Sequence, residues 1–475
     1  MKAHIEIVKQ LKLYRPTSNY DNNDIKSNVK NVIHELKSHD KVSDDVFLHY
    51  PILIGSDGLQ WAHANRYLLS RINKIPPASH RTLESIAGDL MHFRNWLDKE
   101  NVAYLKIPER TRTRPTYRYC THLHDEIELS NIQPSTAKRR MNSVQNFYRW
   151  LKKDGVKFDN ELWIEKESTR FFTNGIGLEK RKTIKITDLS SSFKSNKNND
   201  DYSEHINDGG KLRPLSKIEQ ASIIESLKRI KNTEMTLAFL LALTTGARLQ
   251  TIFTLRIENF LNDPYEGAKS YRIKAGRGTL IDTKFQRQIV ILIPVWLYIK
   301  IQTYIKSERF AKRREAAPHI FPNEDHQYIF LTKMGLPYYM AGNDPFRYLY
   351  KIPPRGNAVT QFIRQQLRPD MLKNGNDFEF RFHDLRASFG MNIIEEKLVG
   401  HQHGATSKSN HPEFLQVLMY VRSRMGHSSI TTTEAYLNYR SKYHLAVNTQ
   451  GKYESHLETL MNDEEIYHGV DKQGF

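Results

Sequence analysis

The sequence predicts a mainly α-helical protein of more than one domain, with a small antiparallel β-sheet in its C-terminal half. Three observations carry this reading. Apolar residues recur at spacings of three and four in the first half, a polar run near the middle breaks the pattern, and two short β-branched stretches beyond it pair as strands. The length of 475 residues fits about three domains at roughly 150 residues each.

Residues 1–77 read as an N-terminal extension of unknown role. It opens on the alternating Ile5-Glu6-Ile7-Val8, passes through the polar turn Ser18–Asn23 and closes at Pro76-Pro77. From Ser79 the pattern turns helical: Leu83, Ile86, Leu90, Phe93 and Leu97 share one face, which Trp96 widens. A second helix follows Pro134-Ser135-Thr136, with Ala137, Met141, Val144, Tyr148 and Leu151 on its apolar side. Its other side carries Lys138, Arg139 and Arg149, which suit either plain solvation or contact with phosphates. Together these helices mark a domain over 78–186.

The stretch 187–212 is rich in Ser, Asn, Asp and Gly and nearly free of aliphatic residues, so it reads as a linker. A further domain spans 213–440. In it, Leu215–Lys231 and Met235–Leu243 read as helices, and Ser270–Lys274 with Gln288–Ile293 as the strands of a hairpin. A tail, 441–475, carries Tyr453, Leu457, Leu460 and Met461 at helical spacing, a candidate helix for docking on a neighbouring subunit.

Composition narrows the function. Lys and Arg total 71 against 53 Asp and Glu, a net charge of +18, and basic clusters such as Arg110–Arg114, Lys138–Arg140 and Lys312–Arg314 lie far apart in the chain. Several folded segments are thus expected to face a polyanion, and double-stranded DNA is the expected partner. The longest uncharged apolar run, Ile289–Ile299, is far short of the about 18 residues that a spanning helix needs, so no membrane partner is expected. The opening residues hold no apolar run ahead of a small-residue cleavage site, so no secretory leader is expected. Cys120 is the single cysteine, which excludes an internal disulfide and any cysteine-built zinc site. The expected location is cytoplasmic and nucleoid-associated.

Three motifs in the C-terminal half carry chemistry: Thr244-Thr245-Gly246-Ala247-Arg248, His383-Asp384-Leu385-Arg386, and Gly426-His427 followed nine positions after the histidine by Tyr436. Cleavage of a phosphodiester by an oxygen nucleophile builds negative charge on the non-bridging oxygens. Planar forked guanidiniums suit that charge better than ammonium groups do, which singles out Arg248 and Arg386. Tyr436 can act as the nucleophile, with Tyr439 as its rival.

In the type, order and spacing of these motifs the sequence resembles the tyrosine recombinase (phage integrase) family. The resemblance covers about 79–440 and leaves the first 77 residues out. It implies a helical core-binding domain followed by a mixed α+β catalytic domain that starts near Pro214-Leu215-Ser216. It also implies site-specific cutting and rejoining of DNA through a 3′-phosphotyrosyl intermediate, for integration or excision of a mobile element. No metal, ATP or other cofactor is implied, and the working assembly is a tetramer on two DNA sites, with accessory DNA-bending proteins as further partners. Carried onto this chain, the site is Arg248, Lys284, His383, Arg386, His427 and Tyr436. His383 is then the acid/base partner of the tyrosine, His427 a donor to the phosphate, and Lys284 the proton source for the leaving 5′-oxygen. Lys274 rivals Lys284.

Two departures stand out. The family commonly has an acidic residue three positions after the first arginine; this chain has Thr251, so another group must brace Arg248. The stretch between Arg386 and His427 is also long for the family. Its His401–His411 segment holds three histidines, but the Gly, Ser and Lys around them indicate a solvated loop rather than a zinc site. Two other readings remain: a type IB topoisomerase-like relaxing enzyme, and a catalytically inactive DNA-binding relative.

Overall fold

A computed structural model of the chain describes residues 2–13, 46–73, 78–173, 179–189, 193, 205–399, 412–427, 429–440, 454–455 and 457–459. The Ser18–Asn23 turn, Pro76-Pro77, most of the 187–212 run, the His401–His411 segment and most of the tail, with Tyr453, Leu460 and Met461, lie outside them. The chain is mainly α-helical, and its strands form two-stranded antiparallel sheets, four among the described residues. It divides into two compact units, 1–197 with 348–352, and 198–347 with 353–475. No helix among the described residues is long and apolar enough to cross a membrane.

In the first unit, β1 (His4–Lys12) pairs antiparallel with β2 (Val46–Ile54) in the register Ile7 opposite Pro51. Four helices follow: α1 (Ala62–Ile72), α2 (His80–Lys99), α3 (Pro115–Glu128) and α4 (Pro134–Lys153). Ser79 caps α2 by accepting from the Thr82 amide, and Pro115 and Pro134 open α3 and α4 in first-turn positions where a missing N–H costs nothing. The predicted apolar faces meet: Leu83, Leu90 and Phe93 of α2 and Met141, Val144 and Tyr148 of α4 are wholly buried in one core. Tyr50 and Leu53 of β2 and Leu68 of α1, from the stretch set apart in the sequence, are buried in that same core. The strands β3 (Glu165–Thr173) and β4 (Glu179–Thr187) then form a hairpin that the sequence pattern did not reveal.

The second unit opens with the short hairpin of β5 (Ile206–Asn207) and β6 (Lys211–Leu212). The helix Lys217–Ile230 starts in a capping box: Ser216 Oγ accepts from the Glu219 amide at 3.2 Å, and Glu219 accepts from the Ser216 amide at 2.8 Å. The apolar helix Thr233–Thr245 comes next and is buried on nearly all sides. Its Glu234, fully buried, is matched by Arg309 and Arg313 at 2.7 and 2.9 Å, as a buried charge requires. The hairpin of β7 (Ser270–Ala275) and β8 (Ile289–Pro294) falls within a residue or two of its predicted limits, with Ile273 opposite Ile291. Helices Val295–Ile305, Asp384–Val399 and Pro412–Met425 and a helical stretch at 430–440 supply most of the rest. Phe239, Phe253 and Phe382 interlock in the main core, with Phe239 and Phe382 edge to face at 5.0 Å.

Candidate active site

Each motif sits where an element ends or begins. Helix Thr233–Thr245 stops at Gly246, which has φ +64° and donates its N–H to the Ala242 carbonyl. Only glycine fits, because a Cβ there would stand 2.3 Å from the Phe389 ring. The chain then extends through Arg248, the residue before the short helix Leu249–Phe253, and the Arg248 side chain enters a depression. Arg386 lies in the first turn of Asp384–Val399. The Asp384 carboxylate fixes that turn by accepting from the backbone amides of Arg381 at 2.7 Å and Arg213 at 3.0 Å. Gly426, at φ +61°, reverses the chain after Pro412–Met425 and delivers His427. Tyr436 follows on the helical stretch 430–440, its ring against Gly390, where a Cβ would come within 2.7 Å of it.

These four side chains converge on a group absent from the sequence-derived set, the Asp208 carboxylate at the β5–β6 turn. Arg386 Nε donates to Asp208 Oδ2 at 2.8 Å, His427 Nε2 at 3.1 Å and the Tyr436 hydroxyl at 3.3 Å. Arg248 donates to Oδ1 at 3.4 Å. Arg386 also donates to the carbonyls of Gly246 and Met425 at 2.5 and 2.6 Å, which sets its plane. The His427 ring is held between Asp208 and the buried Thr433 hydroxyl, 3.0 Å from Nδ1. With Asp208 ionised, the proton is on Nε2, and Thr433 donates to Nδ1.

Tyr436 is 0 % exposed, and Asp208, Arg386 and His427 are each 3 % exposed. Burial alone would raise the Asp208 carboxyl pKa. The hydrogen bond from His427 and the charge of Arg386 outweigh that and hold it far below the carboxylate range. Burial, and then the Asp208 charge, push the Tyr436 phenol well above its usual value, so it is protonated at neutral pH and needs an acceptor to become a nucleophile. Burial, and then the Arg386 charge, lower His383 to about 4, which leaves it neutral and able to accept. The Asp208 charge works against this shift, and the charges of Arg248 and Lys284 add to it.

Lys284 follows β7 in a short turn and lines the same depression as Asp208, Arg248, Arg386 and His427. Lys274, on β7 opposite Val290, lines a neighbouring depression with Arg272, Arg277, Arg287 and Arg422. Tyr439 is half-buried beside the cluster of apolar residues that buries Tyr436. In the first unit, Lys138 is exposed on α4, whereas its two neighbours in the predicted basic face have protein partners. Arg139 donates to the buried Asp89 at 2.6 Å, and Arg149 lies over the Trp163 ring at 5.2 Å. Among the described residues, no group of three or more His, Cys, Asp and Glu is arranged to hold a metal ion.

The missing acidic residue at position 251 was the one sequence signal that a carboxylate must come from elsewhere. Nothing in the Ser/Asn/Asp/Gly-rich run around Asp208 distinguished it from a solvated loop residue.

No family model and no curated protein matches the chain. Among solved structures it is similar to XerH site-specific recombinase bound to a palindromic difH substrate after cleavage, with 14% identity over 83% of this chain and 89% of that one and a TM-score of 0.45. It is also similar to a lambda integrase (75–356) dimer bound to a COC′ core site, with 13% identity over 79% and 95% and a TM-score of 0.42. A third is the Tn1549 transposon integrase (82–397) in complex with circular intermediate DNA, with 13% identity over 78% and 94% and a TM-score of 0.41.

Proposed function

We propose that the protein is a site-specific DNA recombinase or integrase that cuts and rejoins strands through a 3′-phosphotyrosyl intermediate. The observation that carries this reading is the convergence of Arg248, Arg386, His427 and Tyr436 on one anionic centre. Two guanidiniums and an imidazole N–H aimed at one point are what a phosphorane-like transition state needs, and a protonated phenol at the same point can attack it.

In the proposed reaction the Tyr436 oxygen bonds to phosphorus as the bond from phosphorus to the 5′-oxygen breaks. The phenolic proton passes to neutral His383, and the departing 5′-oxygen takes a proton from Lys284. Arg248, Arg386 and His427 hold the non-bridging oxygens, on which the charge grows. No bond energy is lost to water, so the 5′-hydroxyl of the same or another strand can reverse the step. Duplex DNA is the partner, and a tetramer on two sites, helped by DNA-bending proteins, is the assembly in which strands would be exchanged. Residues 78–186 would contribute DNA contacts through Lys138, with Arg139 and Arg149 free to do so only if they give up their protein partners. A role on genomic DNA places the protein in the cytoplasm, with the nucleoid.

The test is covalent capture. After incubation with sheared genomic DNA and denaturation, the wild type is expected to carry DNA on Tyr436, while Tyr436→Phe yields no adduct and retains DNA binding. Adducts lost in Tyr439→Phe and kept in Tyr436→Phe would move the nucleophile to Tyr439. Absence of adducts in the wild type would overturn the reading.

A further inference from the structure

The donors that the proposed reaction directs at a phosphate are all engaged by a carboxylate of this chain. Asp208 Oδ2 accepts from Arg386, His427 and Tyr436, and Oδ1 accepts from Arg248. A carboxylate that only braced an arginine would stand behind the guanidinium, away from the nucleophile. Asp208 is instead within hydrogen-bond reach of the nucleophilic hydroxyl and both guanidiniums at once, where a reacting phosphate has to be. Carboxylates and phosphates offer planar donors the same thing, anionic oxygens on one centre.

We propose that Asp208 is an internal surrogate for the scissile phosphate, a latch that keeps the DNA-free site closed and must leave before DNA can enter. The inference rests on the function proposed above.

The hairpin that carries Asp208 is built to be displaced. Its strands have two residues each, and across its turn the Asp208 amide donates to the Gly210 carbonyl at 3.1 Å. Few backbone bonds have to break. The turn also approaches the exposed lysine, since a Cβ on Gly209 would stand 3.1 Å from Lys284 Nζ. Ile206 and Leu212, which flank the turn, are buried in the same apolar cluster as Phe389, Met425 and Tyr436. Movement of the hairpin therefore loosens the packing that keeps Tyr436 at 0 % exposure. Release of the anion and exposure of the nucleophile become one event.

The test uses the full chain and two probes. Asp208→Asn keeps the size of the side chain and removes its charge. Titrated calorimetrically with inorganic phosphate in chloride buffer, it is expected to bind at least about tenfold more tightly than wild type, about 1.4 kcal/mol. It is also expected to form Tyr436 adducts on sheared DNA several-fold faster. Unchanged or weaker phosphate binding would overturn the latch. So would adducts that form in the wild type and vanish in Asp208→Asn, which would make Asp208 a positioning residue for the arginines. Adducts in neither protein, with phosphate affinity raised in the variant, would remove the proposed function and overturn the latch on a scissile phosphate, leaving Asp208 only as a competitor for anions. Because Asp208→Asn leaves two guanidiniums short of a partner, a second measurement needs no variant. Saturating phosphate is expected to speed amide hydrogen exchange over 206–212 in the wild type, relative to chloride at matched ionic strength. Unchanged or slower exchange there would also sink the proposal.

Discussion

Lys284 and Lys274 are chemically identical and lie on the same hairpin, so what separates them is where the backbone puts their ammonium groups. Lys274 belongs to β7 itself, whereas Lys284 follows the turns at Gly276 and Gly278 and reaches the Asp208 hairpin. If Lys284 protonates the departing 5′-oxygen, its loss matters only while that oxygen is a poor leaving group. Lys284→Ala is therefore expected to cleave ordinary DNA at least about a hundredfold more slowly, within the usual range for a lost general acid, and to recover most of its rate on a 5′-bridging phosphorothiolate. Arg248→Ala should gain nothing from that substrate, because its proposed task is on the non-bridging oxygens. Rescue of Lys274→Ala with normal cleavage by Lys284→Ala would pass the role to Lys274. The Lys284 ammonium lies 5.5 Å from the ring of Phe285, a residue 90 % exposed at φ +60°, so this proposed acid sits on a strained and prominent turn rather than in a packed wall.

The elements put the motifs in place through backbone geometry that the sequence announces only in part. Gly246 ends one helix in the left-handed region, and the Phe389 ring occupies the space a methyl group would take. Gly246→Ala is expected to cost about 2–4 kcal/mol, from the φ penalty and from overpacking together, and to displace Arg248 as well. Urea denaturation would read the first effect and adduct yield the second; an unchanged midpoint would show that the turn adapts. The helices on either side of Asn232 and the β7–β8 strands were legible because each is written within a short stretch of sequence. The two long amphipathic helices were legible because burial of one face imposes its period on the sequence. The β3–β4 hairpin was not, since Glu165–Thr173 and the first half of Glu179–Thr187 are crowded with charge, and the alternation of Thr183–Thr187 has no counterpart in Glu165–Thr173. Helix α1 was hidden too, its short apolar set of Ala64, Tyr67, Leu68 and Ile72 being completed by β2 and α4 rather than by its own length. Asp208 was illegible for a related reason. What makes it special is four partners 40 to 228 positions away, and no local pattern encodes them.

At the scale of the whole molecule, the net charge of +18 is the property that single substitutions barely alter. Asp208→Asn shifts it by one unit in a chain with 124 charged Lys, Arg, Asp and Glu side chains, so a tenfold change in phosphate affinity could not come from the global field alone. DNA binding, by contrast, should be governed by that field. Basic side chains that replace counterions along the phosphates release them to solution, and the observed affinity then falls steeply with salt. A footprint of about 6–10 phosphates would lose about 10³–10⁵ in affinity between about 50 and 200 mM salt. Fluorescence anisotropy on a duplex of arbitrary sequence should give a linear plot of log affinity against log salt with a slope near that range. Lys138→Ala should lower the slope by about one if that side chain meets a phosphate, and leave it unchanged if the exposed face of α4 is only solvated. A nearly flat plot for the wild type would mean that the excess charge serves solubility. The depression lined by Arg248, Lys284 and Arg386 would then have to recognise DNA by its own few donors, too few to hold a duplex at physiological salt.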